Sequence, residues 1–222
     1  YTYALESVVY ALSGVFDGGE KDPGLEAAAA KVWSSQVLND LAAKGVQLHG
    51  GYGYTLEFAV GRIFTDARVM TIFEGATDIL VSLVIAPLTL RYLENEVWKK
   101  GWSILQGWRV PAESPLANEA DAVKAAAATV EQVGRELIKR YGGGKAMKTG
   151  TIAQSDAVTW GQMVAELYAT LATVNRTQHR LDAGLESSHQ VEMTRVIVTE
   201  RVRRIEQLAE ELVPERDIRY AT

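Results

Sequence analysis

Residues 47–80 read QLHGGYGYTLEFAVGRIFTDARVMTIFEGATDIL, a glycine cluster, a short amphipathic run, and then one glutamate, Glu74, between Phe73 and Gly75. Gly50, Gly51 and Gly53 should end whatever helix precedes them, because glycine loses the most backbone entropy on becoming helical. Thr55 is placed to cap a short helix through Val60 to Asp66, Arg68 to Gly75 reads as a turn, and Ala76-Thr77-Asp78 leads into another helix. No period-two alternation runs through this stretch or beyond it. The chain is therefore expected to be all-α.

Upstream, Leu5, Val8, Val9, Leu12, Val15 and Phe16 fall at helical spacing, predicting a helix from Thr2 to Phe16 that stops at Asp17-Gly18-Gly19. Asp22 as N-cap and Pro23 in the first turn predict a second helix, with Leu25, Ala28, Ala29, Val32, Trp33, Gln36, Val37 and Leu41 on one face, running to about Leu48. Downstream, Pro87 should kink or end the helix it enters. The pattern resumes from Leu88 to Gln106, with Leu93, Val97, Trp98, Trp102 and Leu105 on one side.

Residues 107–118, with Gly107, Pro111 and Pro115, read as a connection, which divides the chain into a helical domain 1–106 and a helical region 107–222. Glu119 to Tyr141 is an Ala-rich helix, and Gly142 to Gly150 a loop. Two long helices then pair as an antiparallel hairpin on a bundle, one facing inward through Trp160, Val164, Leu167, Tyr168, Leu171 and Val174. The other does so through Val191, Thr194, Val198, Val202, Ile205, Leu208 and Leu212, with Arg195, Arg203, Arg204 and Glu211 off the seam.

The bulk numbers exclude several function classes. At 222 residues and 47% hydrophobic, the chain can build a proper core. A net charge of −5 argues against nucleic acid, which is gripped through clustered Lys and Arg. Zero cysteines remove disulfides, thiolate metal sites and a cysteine nucleophile. No apolar run reaches the length of about 18 residues that spans a bilayer. The sequence opens in helical pattern without Met, so a C-terminal portion of something longer is expected.

Candidate sites elsewhere are weaker. Gly142-Gly143-Gly144-Lys145 lacks the upstream glycine, the following Ser or Thr and the preceding strand of a phosphate loop. His49, His179 and His189 lack metal-ligand spacing, so packing is the default for His49. Arg201, Arg203 and Arg204 are interspersed with Glu200, Glu206, Glu210 and Glu211, which reads as a solvated face in preference to a membrane contact. The five tryptophans read as core or interface anchors. Gly50, Gly51 and Gly53 say only that the backbone turns sharply, with N–H groups that an anion could approach. Glu74 alone is either a helix-end charge, a salt-bridge partner or a catalytic carboxylate.

Three ordered motifs then narrow the choice: Gln47-Leu48-His49-Gly50-Gly51-Tyr52-Gly53-Tyr54, Arg62-Ile63-Phe64-Thr65-Asp66-Ala67-Arg68, and Ile72-Phe73-Glu74-Gly75-Ala76-Thr77-Asp78-Ile79-Leu80. Together, from about Tyr1 to Leu93, they resemble the C-terminal helical domain of the acyl-CoA dehydrogenases. The helical region beyond residue 100 is similar in length and layout to the extension of the very-long-chain branch.

The resemblance implies an FAD-dependent oxidoreductase of fatty acid β-oxidation acting on acyl-CoA thioesters, with Glu74 as the base that removes the α-proton. Burial beneath the acyl chain would raise the pKa of such a base. Phe73 would line the acyl pocket, and Gly75 would let the thioester approach the backbone. Gln47, Leu48, His49, Gly50 and Gly51 align with a segment that meets the adenosine-diphosphate part of FAD, usually from a neighbouring subunit; Ala76, Thr77 and Asp78 align with a second. Ala76 stands where the family usually has Thr, so one hydroxyl is missing. Asp78 is found in the very-long-chain branch.

The resemblance further implies electron-transfer flavoprotein as acceptor, a homodimer or homotetramer, and a cytoplasmic location, with the mitochondrial matrix as alternative. The family's N-terminal helical and middle β-domains have no counterpart in these residues, so a complete active site is not expected from them alone. Two other readings stay open: a helical assembly or scaffold module derived from the family, and an acyl-CoA oxidase-like enzyme that passes electrons to oxygen.

Overall fold

Between Trp160 and Val174 apolar residues occupy every side of the helical wheel, the pattern of a helix enclosed by others. In the computed structural model that helix is the axis of the fold. The structure describes residues 1–19, 23–96, 109–142 and 152–214, and among them every regular element is helical. In chain order these are α1 (Thr2–Asp17), α2 (Gly24–His49), α3 (Gly51–Tyr54), α4 (Ala59–Val69), α5 (Thr77–Ile79), a π-helical segment (Leu80–Ile85), α6 (Ala86–Glu94), α7 (Ala117–Tyr141), α8 (Gln154–Asp182) and α9 (Ser188–Leu212). The expected Asp22 cap, the helix beyond Glu96 through Val97, Trp98, Trp102 and Leu105 to Gln106, Gly107 of the connection and the loop Gly143 to Gly150 lie outside the described residues.

Around α8 pack α1, α2, the π segment, α6, α7 and α9, so one continuous core joins the first ninety-odd residues to the last hundred. Trp160, Val164, Leu167, Tyr168, Leu171 and Val174 are all buried, as is the facing stripe Val191, Thr194, Val198, Ile205, Leu208 and Leu212 of α9. The antiparallel hairpin is thus as the spacing predicts. Inside it, the hydroxyls of Thr170 and Thr173 bond to carbonyls one turn back, at 2.7 and 2.8 Å. Thr177 is shared by Tyr3 of α1 (2.8 Å) and Thr194 of α9 (2.7 Å), a buried polar knot between three helices.

Two glycines let α8 come close to its neighbours. A Cβ on Gly161 would lie 2.5 Å from the Val81 carbonyl oxygen of the π segment, and one on Gly134 of α7 would lie 2.3 Å from Leu93 and 2.6 Å from Trp160. Trp160 donates its indole N–H to Thr89 of α6 at 2.9 Å. The helical run after Glu74 is therefore seated directly on α8.

Several local expectations need correction. Pro87 neither ends nor breaks its helix: the widened π segment precedes it, with Ala86 N–H reaching back five residues to Val81 O, and the proline falls in the first turn of α6. The π turn accommodates a residue that cannot donate to the carbonyl four back. Pro23 is the N-cap of α2 and not its first-turn residue. Thr55 does not cap α4, which starts after Phe58; its hydroxyl instead bonds back to Tyr52 O at 3.1 Å. The glycine cluster holds one helical turn, α3. On α1, the buried face is Tyr3, Ala4, Ser7 and Val8, while Val9 and Phe16 point to solvent. At its end Gly18 is right-handed, and Gly19, at φ +80°, supplies the left-handed residue.

Candidate active site

The site-bearing elements are the C-terminal end and the middle of α2 and the turn between α4 and α5. At the C-terminal end, α2 stops at Gly50, whose φ of +56° and ψ of −136° suit glycine. The chain then folds straight back: a Cβ on Gly53 would lie 2.4 Å from Val46 O, so only glycine permits the approach of α3 to α2. Gln47, Leu48, His49, Gly50 and Gly51 are all exposed on this corner, with Leu48 88% exposed. At Gly50 and Gly51 nothing stands within 4 Å of where a Cβ would be, which leaves the backbone open to a ligand. His49 Nδ1 pairs with Gly45 O at 2.8 Å, on the surface and not in the partly buried packing expected for it. Among the described residues no cluster of metal-ligating side chains forms.

Glu74 sits at the tip of a tight turn. Ile72 N–H and Phe73 N–H bond to Val69 O (2.9 and 3.1 Å), and Thr77 closes the loop by donating its N–H (3.0 Å) and hydroxyl (3.3 Å) to Thr71 O. Inside this loop Glu74 has φ +52° and Gly75 φ +92°. A left-handed glutamate is uncommon, and such strain persists only where the surroundings enforce it. At Gly75 the φ of +92° favours glycine, and a Cβ there would also crowd the tip of the Leu80 side chain at 3.0 Å. Lys31 of α2 reaches across and donates to Gly75 O at 2.5 Å.

The glutamate itself is exposed, as are Ile72 and Phe73 beside it. The apolar enclosure expected around it is not supplied by the described residues: Phe73, half-exposed, offers an apolar flank to an exposed carboxylate. Ala76 is half-buried, Thr77 is buried with its hydroxyl turned inward, and Asp78 is exposed in the first turn of α5.

Those last three residues line a cleft of about 500 Å³. Its walls are α2 (Trp33, Gln36, Asn39, Asp40), the turn (Arg68, Thr71, Ile72), α8 (Gln162, Glu166) and α9 (Arg201, Arg204). The two candidate cofactor segments do not share this cleft: Ala76–Asp78 line it, while Gln47–Gly51 lie further along α2, starting about 10 Å beyond Asp40, the last cleft residue of that helix, by its rise per residue.

The floor of the cleft carries a polar network that the sequence reading did not single out. Glu166 accepts from Trp33 Nε1 (2.8 Å) and from Arg201 (3.2 Å), and Arg201 also donates to Tyr1 OH (2.8 Å), which bonds to Glu200. Burial pushes the Glu166 carboxyl above the usual range, against the pull of Arg201. Burial likewise holds the Tyr1 phenol up at about 12. Arg201 is therefore no part of a solvated basic face; it is half-buried because α8 covers it. A lone glutamate amid Met163, Val164, Ala165, Leu167 and Tyr168 was the signal available in the sequence. For Lys31 there was none, since its partner lies 44 residues away.

Comparison with known proteins gives a consistent result. Residues 1–88 match the family "Acyl-CoA dehydrogenase, C-terminal domain". The caffeyl-CoA reductase-Etf complex subunit CarC of Acetobacterium woodii is 39% identical over 88 residues, 40% of this chain and 23% of that protein. The very long-chain specific acyl-CoA dehydrogenase of Mus musculus mitochondria is 29% identical over 172 residues, 78% of this chain and 24% of that one. A crystal structure of an acyl-CoA dehydrogenase complexed with FAD from Bacillus anthracis superposes with a TM-score of 0.78 at 27% identity, covering 95% of this chain and 40% of that chain. The present chain spans about a quarter of the length of these curated relatives.

Proposed function

We propose, from the match of residues 1–88 to the acyl-CoA dehydrogenase C-terminal domain, that the chain supplies the C-terminal helical part of an FAD-dependent enzyme that desaturates acyl-CoA thioesters, with Glu74 as the α-proton base. One observation carries this reading: Glu74 is held at positive φ on the tip of a closed turn, its carboxylate presented outward beside the apolar side chains of Ile72 and Phe73. Among the described residues no hydrogen bond or ion pair of the Glu74 side chain holds the turn together. A strained, exposed carboxylate with an apolar flank suits a base whose enclosure is completed by substrate and by protein outside these residues.

The residues fit a dinucleotide cofactor. The open backbone at Gly50 and Gly51 admits close approach of a phosphate-bearing ligand, and Ala76, Thr77 and Asp78 edge a cleft large enough for part of one. FAD, when bound, would accept the β-hydrogen as hydride. The chain's own part is to hold a Glu74 oxygen toward the α-carbon, to take its proton, and to bring Phe73 against the acyl chain while Gly75 leaves room for the thioester. Gln47–Gly51 would serve the cofactor of a second subunit, in keeping with their separation from the cleft. Dimer or tetramer formation is supported by the exposure of Leu48 (88%), Tyr54 (90%) and Leu56 (101%) on the same corner.

Electron-transfer flavoprotein as acceptor is supported by the Etf complex in which the A. woodii relative is named a subunit. We place the enzyme in fatty acid β-oxidation, in the cytoplasm. The test is Glu74→Gln in the complete protein. Purified wild type is expected to be yellow and to bleach anaerobically with acyl-CoA, and the variant to keep its flavin but lose bleaching. A variant that bleaches at the native rate excludes Glu74 as base, and a flavin-free wild type would favour a scaffold role.

A further inference from the structure

Lys31 makes a contact that the packing of α2 does not require. Its aliphatic stem crosses from α2 to the turn, and its ammonium donates to Gly75 O at 2.5 Å. The carbonyl it grips belongs to the residue directly after Glu74, where two consecutive residues hold positive φ. Backbone bonds close the loop on either side, from Ile72 and Phe73 to Val69 and from Thr77 to Thr71. Among the described residues, the hydrogen bond that reaches the Glu74–Gly75 pair itself is the one from Lys31.

A left-handed glutamate relaxes by rotation of the two peptides that flank it, Phe73–Glu74 and Glu74–Gly75, and each such rotation swings the carboxylate. Gly75 O lies in the next peptide, Gly75–Ala76, and holding it anchors the exit of the turn within which those two peptides sit. With the ammonium bound to it, the peptide after Gly75 cannot flip without stranding a half-buried charge. Leu80 packs against the other side of Gly75, so the residue is pinned between a side chain and a charge. Burial lowers the Lys31 pKa, while the Glu74 carboxylate pushes it back up, which places the two charges within each other's field.

We propose that Lys31 is a positioning residue for the dehydrogenation: it fixes the backbone of the Glu74–Gly75 turn and thereby the direction of the base. This rests on the reading of Glu74 as base. It differs from that reading in predicting an effect on reaction geometry with no effect on binding. Lys31 does not line the cleft, and its hydrogen bond is to the turn, through which it acts.

The experiment uses the complete FAD-loaded protein, with Lys31→Met, Lys31→Arg, Glu74→Gln and the Lys31→Met/Glu74→Gln double variant. Stopped-flow flavin reduction by acyl-CoA gives the limiting rate, and titration of the Glu74→Gln proteins with acyl-CoA gives the dissociation constant. Misplacing a reacting group by about 1 Å costs up to roughly a hundredfold. Lys31→Met should accordingly lower the limiting rate about ten- to a hundredfold. Flavin content and thermal midpoint should stay near wild type, and the dissociation constant should be the same for the single and double Glu74→Gln proteins. Lys31→Arg, which keeps a charged donor, should recover most of the rate. A Lys31→Met rate equal to wild type, while Glu74→Gln is dead, overturns the inference and leaves the base intact. An Arg variant no better than Met, or a loss that appears only as weaker binding or lost flavin, also overturns it. If Glu74→Gln retains the native rate, the base reading itself fails.

Discussion

Replacing Gly161 by alanine is expected to weaken the fold, whereas the same replacement at Gly14 should strengthen it. Both glycines are helical, so both variants gain up to about 1 kcal/mol of helix propensity. At Gly14 nothing lies within 4 Å of the new methyl group, and that gain is uncompensated. At Gly161 the methyl would lie 2.5 Å from Val81 O and 2.9 Å from Val81 Cβ. The obstacle is backbone, which cannot swing aside as a side-chain tip can. Relief requires α8 and the π segment to separate by several tenths of an ångström, loosening the packing of Val81, Ile85 and Trp160, all fully buried. Overpacking of this kind costs about 1–3 kcal/mol, so the two variants should differ by about that amount. For a chain of this length the gap corresponds to several degrees in melting midpoint, at about 2–4 °C per kcal/mol. Urea melts followed by far-UV circular dichroism measure it directly, with an unchanged denaturant slope showing that the unfolded state is unaffected. Equal midpoints for the two variants would refute the claim that the second half of the chain is seated on the π segment.

Three further outcomes are expected. Gly75→Ala combines a φ of +92° with a methyl 3.0 Å from Leu80, and should destabilise the turn by about 1–2 kcal/mol and slow flavin reduction, read by melts and by stopped flow. Trp160→Phe deletes the indole donor to Thr89 and should cost about 1 kcal/mol in urea melts. Glu166 has its folded pKa raised by burial, so the folded state holds its proton more tightly than the unfolded one. Stability from that proton is complete below the ordinary carboxylate value and is lost as pH rises through the raised value, and Glu166→Gln should flatten this limb in melts across pH.

Much of the architecture was legible because its signals are local. The inward faces of α2, α8 and α9 follow from apolar spacing alone, and Glu74 and the glycine corner stand out as breaks in it. What escaped depends on pairs far apart in the chain. Arg201 looks solvated among its neighbours on α9, yet Glu166 of α8 and Tyr1, at the start of α1, bond to it and leave it half-buried. Pro87 reads as a helix breaker by local rules, yet the close seating of Val81 on Gly161 goes with a π turn that carries the helix through. The expected burial of Glu74 belongs to this class: Phe73 and Gly75 beside it suggest an enclosed carboxylate, and the described residues leave it exposed. Thr77, expected at the cofactor, spends its hydroxyl on closing the turn that presents that carboxylate.

The most direct test of Glu74 as base is α-proton exchange, which needs no electron acceptor. The complete protein is incubated in deuterated buffer with an acyl-CoA whose β-position cannot be oxidised, and deuterium at the α-carbon is followed by mass spectrometry. Wild type should exchange the α-hydrogen, and Glu74→Gln, with its flavin retained, should not. Exchange at the wild-type rate in the variant would contradict the account.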